Sequence, residues 1–157
     1  MYRARVFAIA LAVVVLDQLT KVWAVQRLEY KGSIKIVGEF FQFSFTRNPG
    51  ASFSFATGMT WVFTLIAIGV GVAIIRTTKT LTHPVWAVCL GGLLGGAMGN
   101  LGDRLFRSPG NFQGHVVDFI AFPHFPLFNI ADCAIVGSAI VMVYMSFRGI
   151  DMTKDES

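Results

Sequence analysis

The chain has 157 residues, of which 54% are hydrophobic and 14% are charged, and its formal net charge is +4. Soluble domains carry about 25% charged residues, so this composition excludes an ordinary soluble enzyme and indicates several membrane spans. The length predicts a single domain over residues 1–157. The small positive excess suits anionic lipid headgroups, whereas the Lys and Arg residues are too scattered to follow a nucleic-acid backbone. We therefore expect membrane lipid, and no nucleic acid, among the partners.

The two cysteines, Cys89 and Cys133, both lie in apolar stretches. No Cys/His spacing typical of a metal site accompanies them. We therefore expect two buried thiols rather than a disulfide, and neither a metal nor a cofactor.

The first apolar run predicts a transmembrane helix over about residues 6–25, close to the ~20 residues that cross a bilayer. Its basic start also resembles a signal peptide, but three further apolar runs favour a retained helix. Asp17 and Lys21 interrupt the run four residues apart, so they share one helix face and can pair. They either neutralise each other or form a polar support that faces a site, and ionisable residues inside a membrane favour the second interpretation.

A polar and aromatic connection follows the first helix. Phenylalanine alternates with polar residues over Phe41–Thr46, which is a strand signal. Pro49-Gly50 is typical of the centre of a type II turn. We predict a small β-element over about residues 34–56. On spacing alone, a purely structural role in the turn is favoured for Asn48.

Two further apolar runs predict helices over about residues 59–75 and 85–101. The later one carries glycine at every fourth position in two rows, a spacing that lets helices approach closely. The glycines of the two rows are Gly91, Gly95, Gly99 and Gly92, Gly96. Asn100, Asp103 and Arg104 share one face at the end of this helix. Asp103 and Arg104 either form a simple capping ion pair or, together with Asn100, form part of a site.

Two carboxylates, Asp118 and Asp132, bracket a segment that is otherwise apolar and aromatic. Pro123 and Pro126 forbid a continuous helix between them. Asn129 precedes the last long apolar run, which predicts a helix over about residues 130–147. Two carboxylates at close range share a proton, which suits them to act as the acid and the base of a hydrolysis.

The pattern as a whole predicts an α-helical integral membrane protein with four transmembrane helices and an extracytoplasmic β-element between helices 1 and 2. The basic amino terminus and the short basic loop Arg76–Lys79 place both termini in the cytoplasm. The acids and the β-element then gather toward the outer leaflet. A proton-coupled transporter would need acids spread through the membrane depth instead. A membrane assembly factor would need packed helices and an aromatic collar but would leave the acids unexplained.

Five blocks of the sequence resemble, in the same order, those of the lipoprotein signal peptidases, also called signal peptidase II. The blocks are Asp17–Lys21, Asn48–Phe53, Gly95–Arg104, Val116–Phe119 and Phe128–Asp132. Ser52 stands where the family usually has Ala, and Gly102 stands where a larger apolar residue is common. Neither departure falls on a catalytic position.

The resemblance implies a bacterial inner-membrane aspartyl endopeptidase without a metal. Its substrate is then a prolipoprotein, cut on the N-terminal side of a diacylglyceryl-modified cysteine. Asp118 and Asp132 are the implied catalytic dyad. The residues implied in substrate binding or support are Asp17, Lys21, Asn48, Gly50, Asn100, Asp103, Arg104 and Asn129. The resemblance also implies inhibition by the cyclic peptide globomycin.

The surroundings of the two acids suggest different roles. Asp132 sits near a helix amino terminus, whose dipole favours its ionised form. Asp118 sits among Val117, Phe119 and Phe122, whose low polarity favours its neutral form. We expect Asp132 to be ionised at rest, within a pair that titrates jointly. We also expect the Phe-rich β-element to close over the bound lipidated segment.

Overall fold

The computed structural model describes residues 2–50 and 60–153. Four helices lie in that part of the chain: α1 (Tyr2–Leu28), α2 (Thr60–Thr77), α3 (Pro84–Phe106) and α4 (Ile130–Phe147). α1, α3 and α4 are long and apolar enough to cross a membrane, and α2 contains a shorter apolar run. The protein is therefore a multi-pass α-helical membrane protein, as the composition predicted.

The helix bounds agree with the predicted bounds at α4 and differ most at α1 and α3. α1 begins before residue 6 and ends after residue 25. α3 continues past residue 101, so Asp103 and Arg104 lie inside the helix rather than after it. Hydropathy ended this helix too early because it treats ionised side chains as if they faced lipid, whereas both are buried in protein. The predicted start of helix 2, at residue 59, lies outside the described residues.

α3 is the central helix and packs against α1, α2 and α4. Its two rows of glycine make the close contacts that their spacing predicted. A Cβ atom on Gly95 would lie 2.7 Å from the Ala10 carbonyl oxygen of α1. A Cβ atom on Gly96 would lie 2.5 Å from the Ala131 carbonyl oxygen of α4. One row therefore admits α1 and the other admits α4.

The β-element is a three-stranded antiparallel sheet with the order β1-β2-β3. The strands are β1 (Ile34–Val37), β2 (Phe41–Asn48) and β3 (Val116–Ala121). The first two strands confirm the prediction for this region, and residues 51–56 of the predicted element lie outside the described part. The third strand was not predicted. Its first four residues are all buried, so the polar–apolar alternation that marks a half-exposed strand is missing.

The chain folds back on itself between β3 and α4. Phe128 exchanges backbone hydrogen bonds with Ile120 at 2.9 and 3.1 Å, as in an antiparallel pair. The Phe122 ring stacks on Phe128 and on Phe41 of β2, with centroid distances of 6.0 and 5.2 Å. This return of the chain brings the start of α4 beside β3, and so brings together two acids that are far apart in sequence.

Two hydrophobic clusters lie at opposite ends of the molecule, with buried polar side chains between them. Around the start of α1, one cluster joins all four helices; its buried members are Val6, Ala10, Ile74, Leu81, Trp86, Ala87, Leu90, Leu94 and Met145. The other cluster packs the sheet on the end of α1; its buried members are Ala24, Leu28, Val117 and Phe119. The two clusters hold the helix ends and the sheet around the polar centre.

The cysteines differ from the prediction of two buried thiols. Cys89 is buried in α3, whereas Cys133 is exposed on α4. An apolar sequence context predicts burial in a soluble protein, but on a membrane helix it is equally consistent with a side chain that faces lipid.

Candidate active site

Asp118 lies on β3 with its side chain buried. The strand register pairs Thr46 with Asp118 and Asn48 with Val116, so Asn48 is the diagonal neighbour of Asp118 on one face. Asn48 Nδ2 donates a hydrogen bond of 2.8 Å to Asp118 Oδ2. Asn48 Oδ1 accepts from the Gly50 amide at 2.8 Å, which keeps the Asn48 nitrogen toward Asp118. The Asn48 side chain therefore closes the turn and also reaches the acid.

Asp132 lies in the first turn of α4, whose N-cap residue is Asn129. Asn129 Oδ1 accepts from the Asp132 amide at 3.0 Å, and Asp132 Oδ2 accepts from the Asn129 amide at 3.1 Å. This reciprocal capping box satisfies two backbone donors at the start of the helix. The same local pattern that begins α4 therefore holds the Asp132 carboxylate at the positive end of the helix dipole.

Two asparagines join the acids to each other. Asn129 Nδ2 donates to Asp118 Oδ1 at 2.6 Å and lies 3.2 Å from Asn100 Oδ1. Asn100 Nδ2 donates to Asp132 Oδ1 at 2.8 Å. The structure thus brings the two predicted acids together with all three predicted asparagines in one hydrogen-bonded group.

A buried ion cluster lies behind this group. Lys21 Nζ is 2.8 Å from Asp17 Oδ2 and 2.9 Å from Asp103 Oδ2, and all three side chains have 0% exposure. The pairing of Asp17 with Lys21, predicted from their spacing, is confirmed. Lys21 Nζ also donates to Asn100 Oδ1 at 2.9 Å. Because the Asn100 oxygen faces Lys21, its nitrogen faces Asp132, and the cluster thereby orients the amide.

The acids of the cluster also bind backbone of the elements that carry the dyad. Asp17 Oδ1 accepts from the Ala131 amide in the first turn of α4 at 2.9 Å. Asp103 Oδ2 accepts from the Val117 amide of β3 at 3.1 Å. Both contacts join different elements of the fold. Asp17 and Asp103 therefore hold α4 and β3 in place in addition to pairing with Lys21.

Two members of this group were missed in the sequence. Arg107 Nε donates to Asp103 Oδ1 at 2.6 Å, so the ion-pair partners of Asp103 are Lys21 and Arg107 rather than the adjacent Arg104. The i, i+4 spacing of Asp103 and Arg107 is the signal that would have identified this pair if the helix had been extended. Gln18 Nε2 lies 3.2 Å from Asp103 Oδ1. In the sequence, the only signal for this contact of Gln18 with Asp103 was the position of Gln18 next to Asp17.

Arg104 lies at the same site but is held differently. Within residues 2–50 and 60–153, its buried Nη1 has no hydrogen-bond partner. Its guanidinium lies 5.3 Å from the centroid of the Phe63 ring. Gly50 has φ +105°, and a Cβ atom there would lie 2.8 Å from the Phe63 ring and 3.7 Å from Arg104 Nη1. Gly50 is therefore required both by its backbone conformation and by its close approach to this pair.

Burial raises the pKa of the Asp118 carboxyl to about 6. Hydrogen bonds from Asn48 and Asn129 lower it, and the neighbouring charge of Asp132 raises it. The raised pKa brings the Asp118 carboxyl closer to the range in which a carboxyl acts as a general acid. This environment agrees with the expectation that low polarity favours its neutral form.

The arrangement suits acid–base chemistry on an amide. It offers two carboxyl groups bridged by Asn129, together with a buried guanidinium, that of Arg104, which still has donor capacity. Among the described residues, no group of three or more His, Cys, Asp or Glu side chains has the geometry to hold a metal ion.

Comparison with known proteins places this arrangement in a family. The model of the family "Signal peptidase (SPase) II" matches residues 9–148. A lipoprotein signal peptidase of Rhodococcus jostii is 47% identical over 149 residues, which are 95% of this chain and 75% of that protein. A lipoprotein signal peptidase of Mycobacterium tuberculosis is 50% identical over 144 residues, 92% of this chain and 71% of that protein.

Solved structures agree with the sequence comparisons. A bacterial membrane enzyme determined by the in meso method at 2.3 Å resolution has a TM-score of 0.78 at 26% identity, over 97% of this chain and 93% of that chain. A second such enzyme, at 1.9 Å, has the same TM-score at 28% identity, over 90% and 91% of the two chains. The family match over most of the chain, the close relatives and the shared fold show that this protein belongs to the signal peptidase II family.

Proposed function

We propose that this protein is an intramembrane aspartyl endopeptidase that removes signal peptides from prolipoproteins. The cut falls on the N-terminal side of a diacylglyceryl-modified cysteine. The observation that carries the proposal is the pair Asp118 and Asp132, which accept hydrogen bonds from the side-chain nitrogen and the backbone amide of the single residue Asn129. Membership of a peptidase family supports the reaction class, and the dyad supplies its chemistry.

Hydrolysis of an amide needs a base that takes a proton from water and an acid that supplies a proton to the leaving nitrogen. One ionised carboxylate, which we assign to Asp132, takes a proton from a water molecule. The oxygen of that water attacks the carbonyl carbon in the same step. The protonated carboxyl, assigned to Asp118, gives its proton to the carbonyl oxygen. When the tetrahedral intermediate collapses, Asp132 gives its proton to the amide nitrogen, a hydroxyl group of the intermediate returns a proton to Asp118, and the C–N bond breaks. The dyad then holds one proton, as it did at the start.

Arg104 and Asn100 are placed to hold the substrate. Both line a groove of about 230 Å³ between α2, α3 and α4, whose other walls are apolar. We assign this groove to the end of the signal peptide that leads to the cut. Arg104 is within electrostatic range of both acids, and its Nη1 is a suitable donor to the carbonyl oxygen on which negative charge develops.

The same proposal sets the location of the protein. It lies in the bacterial inner membrane, with both termini in the cytoplasm and the dyad toward the outer leaflet, where the substrate is exposed after export. Globomycin, a cyclic peptide, is expected to compete for the dyad. The Phe-rich sheet beside the dyad is expected to enclose the bound segment.

A cleavage assay tests this function. The purified protein should cut a precursor peptide that carries the diacylglyceryl cysteine, and the Asp118→Asn and Asp132→Asn variants should each lose turnover, because neither leaves a shared proton. Thermal unfolding in detergent should show both variants folded. Full activity in either variant would remove that residue from the mechanism. Cleavage of the unmodified peptide at an equal or higher rate would contradict the assigned substrate class.

A further inference from the structure

A second apolar groove lies beside Asp132, on a different face of α4 from the first groove. It has a volume of about 500 Å³ and lies between the returning segment 125–128 and the exposed face of α4. The α4 residues that line it include Cys133, Val136, Gly137 and Ile140. Among its lining residues, Asp132 carries the only charge, at one end of the groove. The groove assigned to the signal peptide uses Ile135 instead, so the two grooves lie on different faces of the helix.

The geometry of this groove is linear. Asp132, Val136 and Ile140 are four residues apart, so they form one stripe that runs about 12 Å along the helix, at 1.5 Å per residue. The stripe begins at the carboxylate and continues along a helix that is apolar enough to cross the membrane. The groove therefore extends from the dyad along the direction that lipid chains follow.

Aromatic contacts fix the wall opposite α4. The Phe125 ring packs edge-on against Phe128 at 5.7 Å, and Phe128 stacks on Phe122 at 6.0 Å. Phe122 stacks in turn on Phe41 of β2. A loop held by four rings to a sheet keeps its shape, so the groove is preformed rather than made by a mobile segment.

We propose that this groove binds an acyl chain of the lipidated cysteine in the substrate. The inference rests on the proposed function and adds the binding site of the lipid. The occupant must be apolar along its length and must present its reactive end to Asp132, since only that end of the groove is charged. In the assigned substrate the lipidated cysteine follows the scissile bond directly. Its chain therefore leaves the dyad on the side opposite to the signal peptide, which has its own groove.

Two glycines provide a matched test. Gly137 lines the groove, and Gly69 lies on α2 outside both grooves; a Cβ atom on either would meet nothing within 4 Å. Gly137→Phe should fill the groove without disturbing the fold, and Gly69→Phe should place the same ring in lipid. With a long-chain diacylglyceryl precursor, Gly137→Phe should raise KM by about tenfold relative to Gly69→Phe, because the ring displaces the chain from its packing contacts with the groove.

A precursor with a diacetylglyceryl cysteine is the second arm, because its chains are too short to pass Gly137. The two variants should cut it equally well. A photoreactive group near the end of a long acyl chain should also crosslink to residues 136–140 of α4 in the native protein. Equal KM values for the two variants on the long-chain precursor, or crosslinks outside this stripe, would overturn the site and identify the groove as one filled by bilayer lipid only. Failure of the native protein to cut the lipidated precursor would instead overturn the proposed function.

Discussion

At the scale of single residues, the two acids are distinguished by the groups that contact them. Asp118 is buried on a strand, and burial raises its pKa to about 6. Asn48 opposes that shift, because its Nδ2 donates to Asp118 Oδ2 and so stabilises the ionised form. Asp132 is held by a capping box at the start of α4. One side chain, Asn129, is shared between them.

The hydrogen bond from Asn48 leads to a prediction about pH. As pH rises through the pKa of Asp118, the dyad loses its shared proton and the rate falls. Asn48→Ala removes an interaction that lowers this pKa, so the alkaline limb of the kcat profile should move to higher pH, by up to about one unit for a charged hydrogen bond. Gln42→Ala on the same strand is the control, since among the described residues its side chain bonds only within the surface hairpin, to Glu39. A limb that stays in place or moves to lower pH would contradict the assignment of Asp118 as the acid.

At the scale of helices, α3 determines how closely the others approach. A Cβ atom on Gly99 would lie 2.6 Å from Asp17 Oδ2, so the absence of a side chain there lets the Asp17 carboxylate reach Lys21 and the start of α4. Farther along α3, a Cβ atom on Gly102 would have one neighbour, Gln18 Nε2, at 3.9 Å. The close approach to Asp17 therefore requires a glycine at position 99, whereas the space around Gly102 would admit a larger side chain.

A matched pair of substitutions tests this difference between Gly99 and Gly102. Gly99→Ala should lower the free energy of unfolding by about 1–3 kcal/mol through overpacking, and should reduce activity because it displaces Asp17. Gly102→Ala should leave activity unchanged and stabilise the helix by up to about 1 kcal/mol, since Ala is the better helix former. Thermal unfolding in detergent and the cleavage rate measure both effects. Equal behaviour of the two variants would show that the close approach at Gly99 has no energetic role.

At the scale of the whole molecule, the buried acids of the site lie at one end of the helices and the larger hydrophobic cluster lies toward the other end. Five basic residues of the described chain lie at the end where α1 begins, in its first turn, at the end of α2 and in the short loop after it, and after α4, namely Arg3, Arg5, Arg76, Lys79 and Arg148. The other seven lie toward the sheet and the dyad. The dyad and the sheet are separated from the first five by the larger hydrophobic cluster. Acids gathered at one end fit an enzyme better than a proton relay across the membrane, and the matched family is one of peptidases.

The basic start of α1 and the short basic loop after α2 predict the topology. In a background with Cys89→Ala and Cys133→Ser, a cysteine replacing Gln113 should react with a membrane-impermeant maleimide in intact spheroplasts. A cysteine replacing Thr80, in the loop between α2 and α3, should react only after permeabilisation, since short basic loops stay in the cytoplasm. Both positions are exposed, so accessibility within the protein does not limit the labelling. Labelling of the Thr80 variant first would invert the proposed orientation.

The sequence by itself determined the features that depend on local periodicity. Apolar runs predicted the four helices, alternation predicted β2, and glycine spacing predicted close packing of α3. The i, i+4 spacing predicted the ion pair of Asp17 with Lys21, now seen at 2.8 Å. The sequence pattern also singled out Asp118 with Asp132 and the shared face of Asn100, Asp103 and Arg104. The family resemblance added binding or support roles for Asn48 and Gly50, and all of these roles stay predictions.

Only the tertiary structure decided which of these pieces meet. It added β3, paired Lys21 with Asp103 across two helices, and placed Asn129 between the acids. It also divided the surface of α4 between two grooves. Periodicity reports that a side chain is buried but does not identify its partner. The partner depends on contacts between distant parts of the chain, and here the glycine rows of α3 and the return of the chain after β3 bring those parts together.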